Sequence, residues 1–301
     1  MGGDTGRLRQ EIKWRLSEAG ACAVGFAAAG PVGGDVMTAY DAWIARGDNA
    51  GMTYMANHRE VRADARLLLE GAKTVISMAF AYAVEEKRDP GLPKISSYAY
   101  VPDYHKSIRR AVRDSRIGEL LGEEHSDWRL CVDTAPIFER YWARQAGIAI
   151  IGLNGSAIVP GVGAQVFLAE IVTNIGIEPD QPLEKDCGSC RACIKACPTG
   201  ALGEGMTIDC NRCLSYLTIE HRGEWTDKRH LQAMSTGAGR RTLFGCDRCI
   251  EACPHNQAAG NMKPIGEVLR YAGGPLPEGS SLRRAKAEGI ERNLRNIKGE
   301  S

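Results

Sequence analysis

Nine of the eleven cysteines in this 301-residue chain fall between Cys187 and Cys253, and their spacing is the pattern most able to do chemistry. The first run is Cys187-x2-Cys190-x2-Cys193-x3-Cys197-Pro198, and a second half, Cys246-x2-Cys249-x3-Cys253-Pro254, follows it. Three thiolates two residues apart can wrap a tight loop around three corners of a [4Fe–4S] cube, while the fourth, followed by proline, leaves the loop toward a second cube. Structural zinc takes separated Cys/His pairs rather than three cysteines in one short loop. A disulfide framework belongs to small secreted chains. This chain is long, and Met1 to Lys13 is polar and charged, with no apolar signal region. The pattern predicts two [4Fe–4S] clusters in a reduced, cytoplasmic protein.

Two cubes need eight thiolates. In the two-cluster arrangement the first three cysteines of one motif are completed by the last of the other, which groups Cys187, Cys190, Cys193 and Cys253. Cys197, Cys246 and Cys249 then need a fourth ligand from Cys210 or Cys213, and spacing does not choose between them. The insertion from Leu214 to Gly245 has moved that leading cysteine far upstream. The spare one is expected to be a small buried residue, as are Cys22 and Cys131, which lie in apolar surroundings. Clusters transfer electrons singly and define no substrate. The roughly 180 residues that precede them are expected to hold a second redox site.

Elements must position these groups. Hydrophobic residues make up 44% and charged residues 25%, the balance of a globular protein that can bury a core. The longest apolar stretches, Val75 to Val84 and Ala21 to Ala29, fall short of the ~20 residues that cross a bilayer, so no membrane is expected. With 38 basic and 37 acidic side chains, net charge neither demands nor excludes a polyanionic partner. Residues 75–80 and 129–132 read as strands, as do 148–151 and 166–171. After Asp133-Thr134-Ala135-Pro136, the apolar positions Ile137, Tyr141, Trp142 and Ala146 predict a helix closed by Gly147. Asp133 is also a natural helix-start residue there. The expected fold is α+β, with an α/β-type domain over residues 1–180, a ferredoxin-like two-cluster domain over 181–262, and a tail over 263–301. The tail is rich in Gly, Pro and charge and reads as peripheral.

Several segments match one family. They are Ile95-Ser96-Ser97-Tyr98-Ala99-Tyr100 with Asp103-Tyr104-His105-Lys106, Val132-Asp133-Thr134-Ala135-Pro136, Arg212-Cys213-Leu214-Ser215-Tyr216-Leu217-Thr218-Ile219-Glu220, and Phe244-Gly245-Cys246-Asp247-Arg248-Cys249. Over about residues 50–256 the chain resembles epoxyqueuosine reductase, the cobalamin-dependent iron–sulfur enzyme of tRNA modification. The resemblance implies that the N-terminal domain binds base-off cobalamin near one cluster and that the substrate is the epoxide of epoxyqueuosine at the tRNA wobble position. It also implies that Cys213 is the missing ligand, since the family's cysteine directly precedes the Leu-Ser-Tyr-Leu-Thr segment, so the second cluster becomes Cys197, Cys213, Cys246 and Cys249.

Asp133 aligns with the family's proton donor. Opening an epoxide and expelling its oxygen as water consumes two electrons and two protons, so an acid is required, and a partly apolar pocket is expected to raise the Asp133 pKa. Ser215 and Asp247 flank cluster ligands where the resemblance places the cobalamin. Ser156 and Gln165 are candidates for its amide side chains, and His58 with Arg59 are weaker candidates. The Asp-x-His-x-x-Gly cobalamin loop is absent, because Asp103-Tyr104-His105 runs on into Lys-Ser-Ile. His105 is therefore expected to pack or hydrogen-bond rather than ligate cobalt.

For the tRNA anticodon loop, the candidate cations are His221, Arg222, Arg240 and Arg241, in the insertion between cluster ligands. The tail adds Arg283, Arg284, Lys286, Arg292, Arg295 and Lys298, a mixture that a solvated helix face explains equally well. The chain ends before the C-terminal helical-repeat domain of longer members could fit. His255 stands where the family often has tryptophan. A monomer served by a low-potential electron donor is expected. The alternatives are a reductive dehalogenase-like corrinoid enzyme, which would generally carry a twin-arginine export signal not seen here, and a ferredoxin-like carrier without corrinoid.

Overall fold

The computed structural model describes residues 2–256, 260 and 262–300. Four strands with apolar residues on both sides form the centre of the N-terminal part. Ala23–Ala28, Thr74–Ala81, Val166–Thr173 and Trp128–Cys131 lie side by side in that order. Thr74–Ala81 is buried at every position, so it reads in sequence as a continuous apolar run rather than an alternation.

Helices cover both faces. Ile76, Met78, Leu130 and Ile171 pack with Ile12 and Leu16 of the Gly2–Glu18 helix and with Ile108 and Val112 of the Tyr104–Asp114 helix. On the other face, Val75, Cys131 and Val172 pack with Met37 and Tyr40 of the Gly34–Ala45 helix and with Trp142 of the Glu139–Gln145 helix. A Cβ on Gly25 would stand 2.0 Å from the Ala146 carbonyl oxygen, so glycine is required where this strand meets the end of the Glu139–Gln145 helix.

Strands are found where the sequence predicts them at 75–80, 129–132 and 166–171, with ends shifted by a residue or two. The 148–151 segment forms a short strand only at Ile150–Ile151, paired with Ala157–Ile158. Every neighbouring pair in the main sheet is antiparallel. The fold is thus α+β, and its alternating strands and helices do not build parallel crossovers. Several helices lie outside the sequence-based expectation, among them Gly2–Glu18, Gly34–Ala45 and Tyr104–Asp114. Asp103 starts the Tyr104–Asp114 helix by accepting the His105 backbone N–H at 3.0 Å.

Between the cysteine motifs, the insertion folds into the Leu214–Ile219 and Lys228–Ser235 helices and the Thr242–Phe244 strand, which pairs in parallel with Lys94–Ile95. The tail is not peripheral. Its Leu282, Ala285 and Ile290 are buried in one core with Ile95, Ala99, Ile219 and Phe244. From the Lys286–Lys298 helix, Arg292 is only 3% exposed and donates to the carbonyls of Leu217 (2.9 Å), His221 (3.1 Å) and Gly223 (2.7 Å), with its guanidinium 4.3 Å from the Trp225 ring centroid. Asn293, beside it, donates to the carbonyls of Thr218 (2.9 Å) and Leu243 (2.8 Å). These donors satisfy the open carbonyls at the end of the Leu214–Ile219 helix, which is why a charged tail folds inward. Among the described residues no helix is long and apolar enough to cross a membrane.

Replacing Arg292 with Met should remove the donors it gives to the Leu217, His221 and Gly223 carbonyls and destabilise the protein by about 2–4 kcal/mol. Denaturant unfolding measures this, and a loss below about 0.5 kcal/mol, the range of an ordinary surface change, would return the tail to the periphery.

Candidate active site

The cysteines separate into two groups. Cys187, Cys190, Cys193 and Cys253 line one cavity with Leu153, Asn154 and Ile158. The other group is recognised by mutual electrostatics: Cys197, Cys213 and Cys246 all act on Cys249. Among the described residues no three His, Cys, Asp or Glu side chains converge as a single-ion site requires. Burial pushes the Cys246 and Cys249 thiols up to about 12. Thiols this desolvated become thiolates when a metal supplies compensating positive charge, so the donor set fits cubane clusters. Backbone amides add support. Those of Thr199, Leu202 and Ala201 face the Cys197 sulfur and outweigh its burial, holding that thiol below its ordinary value.

Cys210 stands apart. It is buried with Leu214, Leu217 and Met234, its N–H donates to the Asp48 carbonyl at 2.8 Å, and burial, then the charge of Cys213, pushes its thiol upward. Asn154 links the two cysteine groups, donating through Nδ2 to the Cys249 carbonyl at 3.2 Å. Ser156, close by, donates its N–H to Asn154 Oδ1 at 3.1 Å.

A polar clamp joins the cysteine module to the sheet domain. Asp247, between Cys246 and Cys249, accepts from Ser96 Oγ and from the Ser97 N–H, and Ser97 Oγ accepts from Gln165 Nε2 at 3.2 Å. Burial holds the Asp247 carboxyl above its ordinary value. Gly245 has φ 69, and a Cβ there would stand 2.4 Å from Ser96 Cβ, so this close approach requires glycine. Ser215 lies in the first turn of the Leu214–Ile219 helix, its amide directed at the Cys213 sulfur.

Beyond Tyr98, whose hydroxyl feels its charge, lies Asp133. It follows the Trp128–Cys131 strand with φ 55, a left-handed backbone that costs a non-glycine residue about 1–2 kcal/mol. It does not start the helix, which begins at Glu139. Instead the Asp133 N–H donates to Glu139 Oε1 at 2.7 Å, and Oδ2 lies 3.2 Å from His105 Nε2. The other His105 nitrogen, Nδ1, is 2.8 Å from Asp103 Oδ1, and its ring stacks on Tyr104 at 4.1 Å. His105 is therefore a hydrogen-bonding residue with both nitrogens engaged.

The expected rise in the Asp133 pKa is not found. Burial raises it, but hydrogen bonds from His105 and Tyr104 with the charges of His105 and Arg284 outweigh burial and hold it below the ordinary value. Although 55% of the side chain is open to solvent, His105 meets the carboxylate oxygen directly. The reciprocal bond to Asp133 raises His105. His105 thus contributes stability below its ordinary pKa that is lost as pH rises through its raised value. Asp133 contributes stability above the ordinary carboxylate value that is lost as pH falls through its lowered one. The pair is charged in the window between. Burial, then the charge of Asp133, pushes Glu139 upward.

Sequence reasoning missed Glu139, and it placed Arg284 only among the tail cations, whereas its guanidinium binds Glu220 in two-pronged fashion at 2.7 and 2.8 Å and stands 5.9 Å from the Tyr54 ring centroid. Glu220 closes a matched segment and was the available signal; the tail partner was not visible. His58 is exposed and takes a left-handed backbone before the Arg59–Ala63 helix, and Arg59 pairs with Asp41. Arg222 donates to the Ile219 and Arg284 carbonyls, and His221, lowered by burial, contacts the Glu224 carbonyl. Arg240 and Arg241 are exposed and reach the Ser235 and Pro90 carbonyls.

Known proteins match this architecture. A family model described as epoxyqueuosine reductase QueG, DUF1730, matches residues 62–134, and a 4Fe-4S double cluster binding domain model matches residues 186–256. An epoxyqueuosine reductase of Leadbetterella byssophila is 35% identical, covering 85% of this chain and 87% of its own. An epoxyqueuosine reductase solved with an epoxyqueuosine-modified tRNA-Tyr stem loop superposes with TM-score 0.81 at 26% identity, over 97% of this chain and 81% of that one. The Bacillus subtilis enzyme, solved with its catalytic aspartate loop swung out of the active site, gives TM-score 0.80 at 26% identity, over 97% and 81%.

Two measurements check the site. Cys213→Ala should lose about half of the bound iron while Cys210→Ala keeps all of it. The His105 ring should titrate by NMR above the ordinary value of about 6.5 and fall back in Asp133→Asn; an unmoved midpoint would separate the two residues.

Proposed function

The chain belongs to the epoxyqueuosine reductase family, and from that premise we infer that the His105–Asp133 pair is the proton source of its reaction. It is an iron–sulfur oxidoreductase that reduces epoxyqueuosine in tRNA to queuosine. The epoxide oxygen leaves as water, which requires two electrons and two protons. We assign one [4Fe–4S] cluster to Cys187, Cys190, Cys193 and Cys253, and the other to Cys197, Cys213, Cys246 and Cys249, with electrons from an external low-potential donor. The domain limits proposed are 1–180 and 181–262, with residues 263–301 as a strap that packs back on the second.

The cofactor proposed for the sheet domain is a base-off cobalamin, which when bound would supply low-valent cobalt to reduce the epoxide. The residues between Asp133 and the clusters suit it. Ser97, Gln165 and Asp247 form a hydroxyl, amide and carboxyl network next to a cluster ligand, matched to the amide side chains of a corrin. Both His105 nitrogens are engaged by carboxylates, so His105 would orient Asp133 rather than hold the cofactor. Ser156, Ser215 and His58 are further candidates.

The single observation that carries the acid assignment is the 3.2 Å contact of His105 Nε2 with Asp133 Oδ2. A lowered carboxyl alone would be a poor acid at neutral pH. The pair, however, holds one proton that either partner can release, and its titration belongs to both; the second proton that completes the leaving water comes from solvent by reprotonation of the pair. Bound substrate excludes water, which disfavours the separated charges and moves the proton toward the carboxyl and the developing alkoxide. Tyr104 and Glu139 orient the aspartate, one through its side chain and the other through its N–H. The compartment proposed is the cytoplasm.

Asp133→Asn should lower turnover of epoxyqueuosine-containing tRNA by about 10²–10⁴-fold with iron and corrin contents unchanged. Near-normal turnover would remove Asp133 from the reaction, and a holoprotein unable to take up corrin would remove the cofactor assignment.

A further inference from the structure

The Tyr104–Asp114 helix carries four cations on its outward side: Lys106, Arg109, Arg110 and Arg113. At 3.6 residues per turn they fall within an arc of about 100°, opposite the buried Ile108 and Val112. Lys106, Arg110 and Arg113 are exposed and Arg109 is half-buried. Among the described residues, only Arg110 of the four has a carboxylate within ion-pair distance, Asp114 at 3.8 Å, and both of those side chains are largely open to solvent. The next cation along, Arg116, is neutralised by Glu119, which also holds Arg15. Unpaired charge is thus concentrated toward the active-site end.

The stripe is continuous with the site. His105, which contacts Asp133, opens the helix, and Arg109 follows it one turn later on the same side. The charge of Arg109 reaches Cys131, two residues before Asp133. By contrast, Arg222, Arg284 and Arg292 are tied to carbonyls or to Glu220, and His221 is lowered by burial.

Resting on the activity inferred above, we propose that this helix face is the track for the sugar-phosphate backbone of the tRNA anticodon stem, and that it aims the loop at Asp133. Charge complementarity selects the occupant. Lys106 to Arg113 span about 10 Å along the helix axis, a length that meets successive phosphates of one strand. Contacts of this kind position a nucleic acid and read no sequence, as suits an enzyme whose specificity lies in one modified base.

The test compares the wild-type holoenzyme with a fourfold variant, Lys106→Gln, Arg109→Gln, Arg110→Gln and Arg113→Gln, on an epoxyqueuosine-containing anticodon stem-loop. The salt dependence of binding should become shallower by about 3 in log–log slope. KM for the RNA should rise about tenfold or more while kcat at saturating RNA stays within about twofold. An unchanged slope in a folded, iron-replete variant overturns the track, as does a fall in kcat with KM unmoved. Should the fourfold variant fold poorly, Lys106→Gln and Arg113→Gln singly should each remove about 0.7–0.9 of slope. A tail variant, Arg283→Gln, Lys286→Gln, Arg295→Gln and Lys298→Gln, should keep the wild-type slope; loss there instead of in the helix overturns the proposal. A wild-type enzyme that binds with the steeper slope but does not reduce the RNA would support the track and overturn the activity.

Discussion

Asp247 is the joint on which the two halves of the molecule depend. It sits between Cys246 and Cys249 and receives hydrogen bonds from Ser96 and Ser97, which precede the helix carrying His105. A buried carboxyl is costly unless its oxygens are satisfied, so this arrangement tolerates little displacement. The parallel pairing of Lys94–Ile95 with Thr242–Phe244 and the glycine at position 245 bring the backbones close enough for the clamp to form. A redox centre and an acid site on separate modules need such a fixed relation, because small errors in placement are costly in rate.

The cysteine module has a second constraint in the burial of its sulfurs. A thiol pushed up to about 12 stays protonated without a metal, so cluster binding and completion of this part of the fold are coupled. The ligands come from segments far apart in the chain, and the insertion that separates them is itself held by Arg292 and Asn293 of the tail. The last helix thereby supports the helix that begins beside Cys213.

The proposed acid pair, Asp133 with His105, solves a different problem. Desolvation alone would raise Asp133, yet a cationic partner lowers it, and the proton resides on the pair rather than on one group. Its left-handed backbone is held by the N–H bond to Glu139 and the side-chain bond to His105. Strain held by two opposing partners is a common property of functional loops.

Cysteine spacing, a local property of tight loops, was enough to predict a double-cluster domain and to pick out Cys187, Cys190, Cys193 and Cys253, which line one cavity, and the apolar runs were enough to locate three of the four central strands. Ala23–Ala28 was missed because its alanines and glycine carry little β signal. Tertiary structure decided what depends on meeting distant segments: the antiparallel order of the sheet, the inward fold of a charged tail, and the joining of Asp133 to His105 and Glu139. It also decided the direction of the Asp133 pKa. Spacing along a chain records which groups can share one loop, whereas charge and burial depend on neighbours that only the folded chain brings within reach.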